Sequence, residues 1–233
     1  MRHTPSFVLT DPAEIRRLIR ENPWATLISH TSTGDLVASH YPMLLDETGT
    51  ETETGTEADT DGDLVLVTHV GRPDEQLHEL GQHELLVIIQ GPHGYVSPGW
   101  YDAKPAVPTW NFVTAHLYGV PEILSAEENL VVLDRLVDHF EDRMPEPRRL
   151  HGTAANSAYA DRISAGTVGF RLRVTRIVAK SKLSQNKPVE TVERIISELE
   201  GTGPYASPTL AAEMRRAHPG IALPAAAAPD ADA

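Results

Sequence analysis

The chain has 233 residues, with 20 Lys or Arg against 33 Asp or Glu, and its formal net charge of −13 argues against a broad basic face for nucleic acid. It contains no cysteine, which excludes disulfides, thiolate zinc sites, cysteine-held iron–sulfur clusters and a cysteine nucleophile. No apolar run approaches the ~20 residues that span a bilayer, and the N-terminus lacks the apolar core of a signal peptide, so we expect a cytoplasmic protein without a membrane contact.

The first half of the chain predicts one helix followed mainly by strands. Asp11 and Glu14 have the spacing of a helical capping box, and the helix ends before Pro23. A short helix is expected over 74–80, and Gly91-Pro92 is expected to break the chain. Apolar segments typical of strands cover 24–30, 36–45, 64–69, 84–90, 95–97 and 109–118.

The second half predicts two further helices and one long strand. Ser125 and Glu128 again form a capping-box pattern, and a helical stripe follows at Leu130, Leu133, Leu136, Val137 and Phe140. A strand is expected over 167–179 and a helix over 191–199. Short strands joined by tight turns favour a mainly β, α+β antiparallel barrel over a doubly wound parallel sheet.

The chain is expected to form one domain over residues 1–200, followed by a disordered Ala- and Pro-rich tail over 201–233. Residues 46–63 include eight acids and no base, and we interpret them as a flexible loop between two strands. Without these eight acids the remaining charge is −5, so the acidity is concentrated in one segment.

Several common signatures of chemistry are absent from the sequence. There is no glycine-rich dinucleotide motif, no P-loop, no H-E-x-x-H and no G-x-S-x-G. No pair of predicted helices is joined by a short turn, so a helix-turn-helix has no place. What remains is a set of polar and aromatic segments at the ends of predicted strands.

Two of these segments lie in the first third of the chain. In Ser39-His40-Tyr41-Pro42, His40 faces away from its two neighbours, and we favour an ordinary barrel histidine over a ligand-binding one. In the segment 68–72, a strand end is followed by Gly71, Arg72 and a helix start, which is typical of a phosphate cradle. The alternative is that Arg72 pairs with Asp74 or Glu75.

Two further segments are aromatic or basic. Two Trp and two Tyr lie between Tyr95 and Trp110, which suits stacking on a planar ligand, a dimer interface or a satellite core. Residues 180–187 are the most basic stretch, suited to a phosphate, a ligand edge or nucleic acid, or simply a solvated strand end. Histidines 40, 69 and 116 fall on predicted strands, but their spacing is not diagnostic of metal or haem. We assign no metal ligand and no catalytic residue.

Together these segments resemble the PaiB family of FMN-binding split-barrel proteins. The resemblance runs in order from about residue 7 to 199, and its most specific parts are the Gly-Pro-His…Ser-Pro-x-Trp-Tyr run over 91–101 and Lys-Leu-Ser-Gln-Asn over 182–186. It implies a split β-barrel related to pyridoxamine-phosphate oxidase. It also implies a homodimer with FMN at the subunit interface, and a role as a negative transcriptional regulator.

The resemblance also implies the residues of an FMN site. The stretch beside the flavin would be Ser39, His40, Tyr41, Pro42 and Met43, and the residues near the ribityl phosphate would be Thr68, His69 and Arg72. The pocket would be completed, from the partner subunit, by Trp110, Asn111, Lys182, Ser184 and Gln185. The family usually continues Ala-Asn-Pro-Gln after the arginine, whereas this chain has Pro73-Asp74-Glu75-Gln76. Two acids there weaken phosphate binding unless they point away.

Three functions follow from this comparison. The first is an FMN-binding regulator with only weak direct affinity for duplex DNA, because the chain lacks the usual basic footprint. The second is a flavin-dependent oxidoreductase in which His40, His69 or Tyr95 donates a proton. The third is a haem-binding protein that uses the strand histidines.

Overall fold

The computed structural model describes residues 1–47, 63–101 and 105–221. Most of the expected acidic loop (46–63) and the end of the expected tail (222–233) therefore lie outside the described residues. The described helices are α1 Pro12–Glu21, α2 Arg72–Leu77, α3 Ala126–Glu141, α4 Ala154–Ser164, α5 Val189–Glu200 and α6 Pro208–Ala217. In this part of the chain, no helix is both long and apolar enough to cross a membrane.

Within the described ranges, ten strands form two sheets. The strands are β1 Val8–Leu9, β2 Trp24–His30, β3 Leu36–Pro42, β4 Leu44–Leu45, β5 Val65–Gly71, β6 Leu85–Val96, β7 Thr109–Gly119, β8 Pro121–Ile123, β9 Thr167–Arg173 and β10 Arg176–Lys182. The first sheet has the order β1-β10-β7-β6-β2-β3, and the second has the order β4-β5-β9-β8. The pairs β2–β3, β2–β6, β4–β5, β5–β9 and β8–β9 are antiparallel.

Two strands that the sequence predicts as continuous are each divided between the sheets. The segment 36–45 ends its first strand at Pro42, and β4 joins the other sheet. Met43 lies at this crossing, fully buried, and its N–H donates to the carbonyl of Pro23 at 2.7 Å. The segment 167–179 is interrupted in the same way between β9 and β10, where Thr175 N–H donates to the carbonyl of Tyr118 at 2.8 Å. No residue of β3 is buried and only Ala179 is buried on β10, so burial does not mark the crossing residues; residues typical of strands continue through both crossings.

The expected break at Gly91-Pro92 is wrong, because β6 continues through both residues to Val96. Proline cannot donate to a sheet ladder, so it is normally confined to edges and strand ends. Here the pairing between β2 and β6 ends at Ile89. Pro92 therefore lies beyond the part of β6 whose amides bond to β2.

The capping box of α3 is confirmed, and of the five residues of the predicted helical stripe only Leu136 is buried. The Ser125 side chain accepts from Glu128 N–H, and the Glu128 carboxylate accepts from Ser125 N–H. The buried face holds Asn129, Val132 and Leu136, whereas Phe140 is 42% exposed. Asn129 Nδ2 donates to Thr167 Oγ1 at 2.9 Å, whereas its Oδ1 is buried without a partner among the described residues. A buried polar residue is invisible to a stripe drawn through apolar residues.

The prediction of a disordered tail from residue 201 is wrong for α6. Residues Leu210, Ala211 and Met214 of this helix are fully buried. Helix α4 is likewise absent from the sequence-based expectation, and only Ala160 is buried on it. Helix α4 is rich in Ala and has weak apolar periodicity, which explains its omission, whereas α6 was missed because the Ala- and Pro-rich composition of 201–233 was interpreted as disorder throughout.

The chain divides into two compact units, which are described separately. Unit 1 comprises Met1–Val8, Pro92–Val113 and Lys180–Ala233, and unit 2 comprises Leu9–Gly91 and Thr114–Ala179. By sequence, unit 1 holds eight basic and eight acidic residues, and unit 2 holds 12 basic and 25 acidic ones. The excess of negative charge therefore belongs entirely to unit 2.

Candidate functional site

In unit 2, Tyr41 connects β3 to the start of α2. Its hydroxyl donates to Asp74 Oδ2 at 2.5 Å and accepts from the N–H of Gly71 at 3.2 Å. Burial and the hydrogen bond to Asp74 raise the pKa of Tyr41 above 10.0. The Asp74 carboxylate is therefore engaged by Tyr41 at the first turn of α2.

Ser39, on the same strand β3, is hydrogen-bonded to a buried histidine, His78. His78 is 1% exposed, and its Nε2 lies 3.0 Å from Ser39 Oγ. Its Nδ1 lies 2.8 Å from Ser29 Oγ on the neighbouring strand β2. Burial lowers the pKa of His78, which favours the neutral form of its ring. No sequence signal marks His78, since it only follows the end of a short helix.

Thr68 and His69 have different roles although they are adjacent. Thr68 is fully buried, and its hydroxyl donates to the carbonyl of Pro42 at 2.5 Å. His69 is half-buried beside Tyr41, with ring centroids 6.3 Å apart and planes at 69°. Burial lowers the pKa of His69, and its Nδ1 is buried without a partner among the described residues. A buried N–H without an acceptor costs more free energy than a buried ring nitrogen without a donor. The proton of His69 is therefore placed on Nε2.

Arg72 is tied to the end of α4. Its Nε donates to the carbonyl of Ala165 at 2.6 Å, and its backbone N–H donates to the carbonyl of Gly166 at 3.0 Å. Its Nη1 lies 3.7 Å from the Glu75 carboxylate, so the pairing with Glu75 expected as an alternative is formed. A cation at a helix C-terminus is favourable, so Arg72 caps α4. The side chain remains 55% exposed and borders a cleft of about 410 Å³.

His40 is the outward-facing member of the 39–43 stretch. It is exposed, and its ring stacks on that of Trp24 at 6.3 Å with planes at 16°. Trp24 itself is 64% exposed. Met43, by contrast, is fully buried and offers no polar group to a ligand.

In unit 1, Asn111 and Ser184 form a buried polar pair. Asn111 is fully buried and its Nδ2 donates to Ser184 Oγ at 2.9 Å, while that hydroxyl lies 3.2 Å from Asn111 Oδ1. Asn111 Nδ2 also lies 3.4 Å from Met214 Sδ on α6. Ser184 has a φ of 67°, a left-handed conformation that non-glycine residues rarely adopt. The pair therefore holds a strained turn in place.

Gln185 closes the same turn through its side chain. Its Nε2 donates to the carbonyl of Ser181 at 2.7 Å, and its Oε1 accepts from Leu183 N–H at 2.8 Å. Asn111, Ser184 and Gln185 therefore all bond within unit 1. Their side chains position the Lys-Leu-Ser-Gln-Asn segment.

Lys182 and Trp110 lie next to each other at the surface of unit 1. Lys182 Nζ donates to Thr109 Oγ1 and, at 2.8 Å, to the carbonyl of Trp110. Burial, with smaller effects from Lys180 and Lys187, lowers the pKa of Lys182. Trp110 is 55% exposed and its ring contacts those of His93 and Tyr95. The ring centroids of Tyr205 and Tyr95 lie 4.6 Å apart. Tyr205 was not predicted as a site residue because it falls in the expected tail.

The expected site residues thus form one group in each unit. In unit 2, Tyr41, His69 and Arg72 are linked through Gly71 and α2, and they offer a hydroxyl, an imidazole N–H and a guanidinium. In unit 1, Trp110 and Lys182 offer an indole ring and an ammonium group. Among the described residues, no three His, Asp or Glu side chains are grouped as metal ligands. Histidines 40, 69 and 116 therefore form no such set.

Comparison with known sequences identifies related chains. Residues 1–176 match the family model described as "Putative FMN-binding domain". The chain is 28% identical over 196 residues to "Protease synthase and sporulation protein PAI 2" of Bacillus subtilis, covering 83% of this chain and 86% of that protein. It is also 28% identical over 230 residues to an uncharacterized protein of Aspergillus fumigatus, covering 81% and 87% of the two chains.

Comparison with solved structures shows the fold. The FAD and haem binding protein from Mycobacterium smegmatis superposes with a TM-score of 0.51 at 20% identity, over 75% of this chain and 72% of that chain. The flavocytochrome Anf3 from Azotobacter vinelandii gives a TM-score of 0.51 at 13% identity, over 75% and 69%. At these identities the likeness shows the fold alone. The predicted α+β split-barrel fold is confirmed.

Proposed function

The chain belongs to the PaiB family of proteins with a "Putative FMN-binding domain", and on that premise we propose that it binds FMN. The observation that carries this proposal is the family match over residues 1–176, which contains the whole unit 2 group. FMN presents hydrogen-bond acceptors on its ring and a dianionic phosphate. The side chains of Tyr41, His69 and Arg72 are of the kinds that such a ligand requires.

Within unit 2, each residue would have a separate task. His69 would donate from Nε2, since its Nδ1 is buried without a partner among the described residues. Arg72 would use Nη2 for the phosphate, because its Nε already bonds to the carbonyl of Ala165 and its Nη1 lies 3.7 Å from the Glu75 carboxylate. Asp74 would not oppose the phosphate strongly, because its carboxylate accepts from Tyr41. Ser39 and Thr68 would act indirectly, by fixing β3 and Pro42.

The unit 1 group enters this proposal only through a second copy of the chain. Trp110 and Lys182 would then approach the flavin from the partner in a homodimer. Asn111, Ser184 and Gln185 would hold the turn that carries Lys182 rather than touch the ligand, because their side chains bond within unit 1. Light scattering with and without FMN tests the dimer.

The cellular role that we propose is regulatory and does not depend on duplex DNA. Support for regulation comes from the name of the B. subtilis relative, a "sporulation protein". A net charge of −13, all of it from unit 2, disfavours a basic face for a duplex. The alternative is a flavin-dependent oxidoreductase. Oxidation of NAD(P)H by the FMN-loaded protein would separate the two.

Visible absorption after FMN addition and gel filtration tests the cofactor. Retained bands near ~370 and ~450 nm are expected, since the flavin is the chromophore. Arg72→Ala should weaken FMN binding by about tenfold, the size expected for a charge-assisted hydrogen bond. Arg173→Ala is the matched control, because Arg173 is 62% exposed and pairs with Asp63 at the surface. A loss of FMN affinity below about threefold would mean that Arg72 does not contact the phosphate. A protein that retains no flavin would refute the proposal.

A further inference from the structure

Unit 1 displays aromatic and lysine side chains across three neighbouring strands, ordered β6, β7 and β10 in the sheet. His93 and Tyr95 are two residues apart on β6 and therefore point to the same side. The ring centroid of Trp110, on β7, lies 6.4 Å from the centroids of both His93 and Tyr95, so the Trp110 ring lies on that side too. Lys182 on β10 donates to the backbone carbonyl of Trp110. We name this surface the aromatic–lysine face, and its members are His93, Tyr95, Tyr101, Trp110, Lys182, Lys187 and Tyr205.

The other side of the same strands packs against α6. A Cβ added at Gly94 would lie 2.9 Å from Leu210 Cδ2, and Asn111 Nδ2 reaches Met214 Sδ. Gly94 and Asn111 alternate with the residues of the aromatic–lysine face. The face is therefore the side that α6 does not cover. Trp110 is 55% exposed and Tyr205 is 52% exposed there.

The positive charge on this face comes from lysine, which is rare in the chain. The sequence has 16 Arg but only four Lys, and all four Lys lie in unit 1. Lys187 Nζ lies 5.1 Å from the ring centre of Tyr101. Within 105–221, no acidic side chain forms an ion pair with Lys182 or Lys187. Among the described residues, neither lysine is therefore ion-paired with a carboxylate, although Glu190 lines the same cleft as Lys187.

We propose that the aromatic–lysine face binds single-stranded nucleic acid. Exposed rings on adjacent strands give bases a surface to stack on, and nearby lysines meet the phosphates. A duplex hides the faces of its bases, so the stacking contribution is available to single strands alone. The acidic unit 2 adds repulsion, which makes modest, strongly salt-dependent binding the expectation. The inference goes beyond FMN binding and does not rest on it, but Trp110 and Lys182 are also the side chains that a homodimer would bring to the flavin, so the two ligands would compete for them.

The test is fluorescence anisotropy of a labelled oligothymidylate of about 12 nucleotides, within the usual size of such sites, titrated with the full chain. Binding is expected at low salt, with log K falling by about 0.7 per log unit of salt for each phosphate contacted. Trp110→Ala should weaken binding by about tenfold or more, the usual effect of losing one stacked base. Lys187→Gln, at an exposed position, should reduce the salt slope by about 0.7 and cannot fail by misfolding the core.

Trp24→Ala provides the matched control. Trp24 is also exposed (64%) and also stacked on a histidine, His40, but it belongs to the acidic unit 2. Its removal should leave oligonucleotide affinity unchanged. An equal loss in both tryptophan variants would refute the assignment to the aromatic–lysine face.

Three other results would overturn the proposal. The first is no binding at low salt, and the second is a duplex of the same sequence binding as tightly. The third is complete displacement of the oligonucleotide by equimolar FMN, which would leave Trp110 with the flavin contact proposed for the homodimer and no second role. Because retained flavin absorbance is measured separately, failure here is distinguishable from failure of FMN binding. A dimer that Trp110→Ala dissociates, without any oligonucleotide binding, would make the face an interface between copies.

Discussion

The hydroxyl of Tyr41 donates to the carboxylate of Asp74 at 2.5 Å, joining the end of β3 to the first turn of α2. Asp74 is one of two acids that depart from the family pattern beside the proposed phosphate position. The Asp74 carboxylate accepts a hydrogen bond from Tyr41, a side chain of the same unit. The second acid, Glu75, lies 3.7 Å from Arg72 Nη1, so only Asp74 is engaged away from the basic group.

Tyr41→Phe should destabilise the protein by about 1–2 kcal/mol, since it removes one hydrogen bond to a carboxylate and one from Gly71 N–H. Urea unfolding measures the change. Tyr118→Phe is the matched control, because the Tyr118 ring packs under Arg176 and its hydroxyl makes no described hydrogen bond. That variant should stay within about 0.5 kcal/mol. Equal effects would mean that ring packing, not the hydroxyl, matters at Tyr41.

Asp46→Asn should cost about 2–4 kcal/mol in the free energy of unfolding. The Asp46 side chain is 6% exposed and lies 2.9 Å from both Arg135 Nη1 and Arg171 Nε. Removing one partner of such a cluster leaves charge uncompensated. In the matched variant Asp63→Asn, the carboxylate is 72% exposed and pairs with Arg173, so a change below about 1 kcal/mol is expected. Thermal or urea unfolding compares them, and similar losses would contradict the role of burial.

Asn111→Ala should destabilise unit 1 by about 1–3 kcal/mol, because Ser184 Oγ then loses its buried partner while its backbone remains strained. Hydrogen exchange at the amides of 183–187 should accelerate as the turn loosens. The exposed Asn186→Ala serves as the comparison and should leave exchange unchanged. Unaltered exchange in Asn111→Ala would show that the turn holds without this pair.

Gly169→Ala should destabilise the packing between β9 and α3. The added Cβ would lie 2.7 Å from Asn129 Oδ1 and 3.2 Å from its Cα, and the backbone contact has no way to yield. Overpacking of this kind costs about 1–3 kcal/mol. Gly203→Ala meets nothing within 4 Å and should be neutral. Circular dichroism melts compare the two, and a neutral Gly169→Ala would mean that α3 can shift.

Acidification should destabilise the protein through His78. Burial lowers the folded-state pKa of His78 below 6.5, against a smaller opposing effect of Asp74. Below the unfolded pKa, the unfolded chain binds a proton that the folded chain does not, so stability falls as pH falls. Burial lowers the pKa of His69 and His116 in the same direction. His78→Gln should reduce the loss in urea midpoint between about pH 7.5 and pH 5.5. An unchanged loss would assign the effect to the other histidines.

Local sequence patterns predicted the elements that are set by local chemistry. Strand β2 and the caps of α1 and α3 follow directly from apolar alternation and from Asp11 and Ser125. The crossings at Met43 and Thr175 could not be found this way, because residues typical of strands continue through both positions and only the neighbouring strands change. The buried face of α3 was not found because it includes the polar residue Asn129, whose Nδ2 donates to Thr167.

The candidate site shows the same division. The sequence singled out Ser39, Thr68, Asn111, Ser184 and Gln185 as polar residues in specific motifs. It could not show that their hydrogen bonds are made inside their own unit, because their partners lie 26–73 residues away or, for Gln185, within a turn. His78 was missed for the same reason, since both of its partners are distant in sequence.

The uneven placement of lysine has a practical consequence. Every lysine, and the amino group of Met1, belongs to unit 1. Amine-reactive esters would therefore label unit 1 and leave unit 2 untouched. Immobilising the protein through its amines would attach it by unit 1 and obscure the aromatic–lysine face. Coupling through carboxylates, which are concentrated in unit 2, would favour attachment through that unit and leave the lysines unmodified.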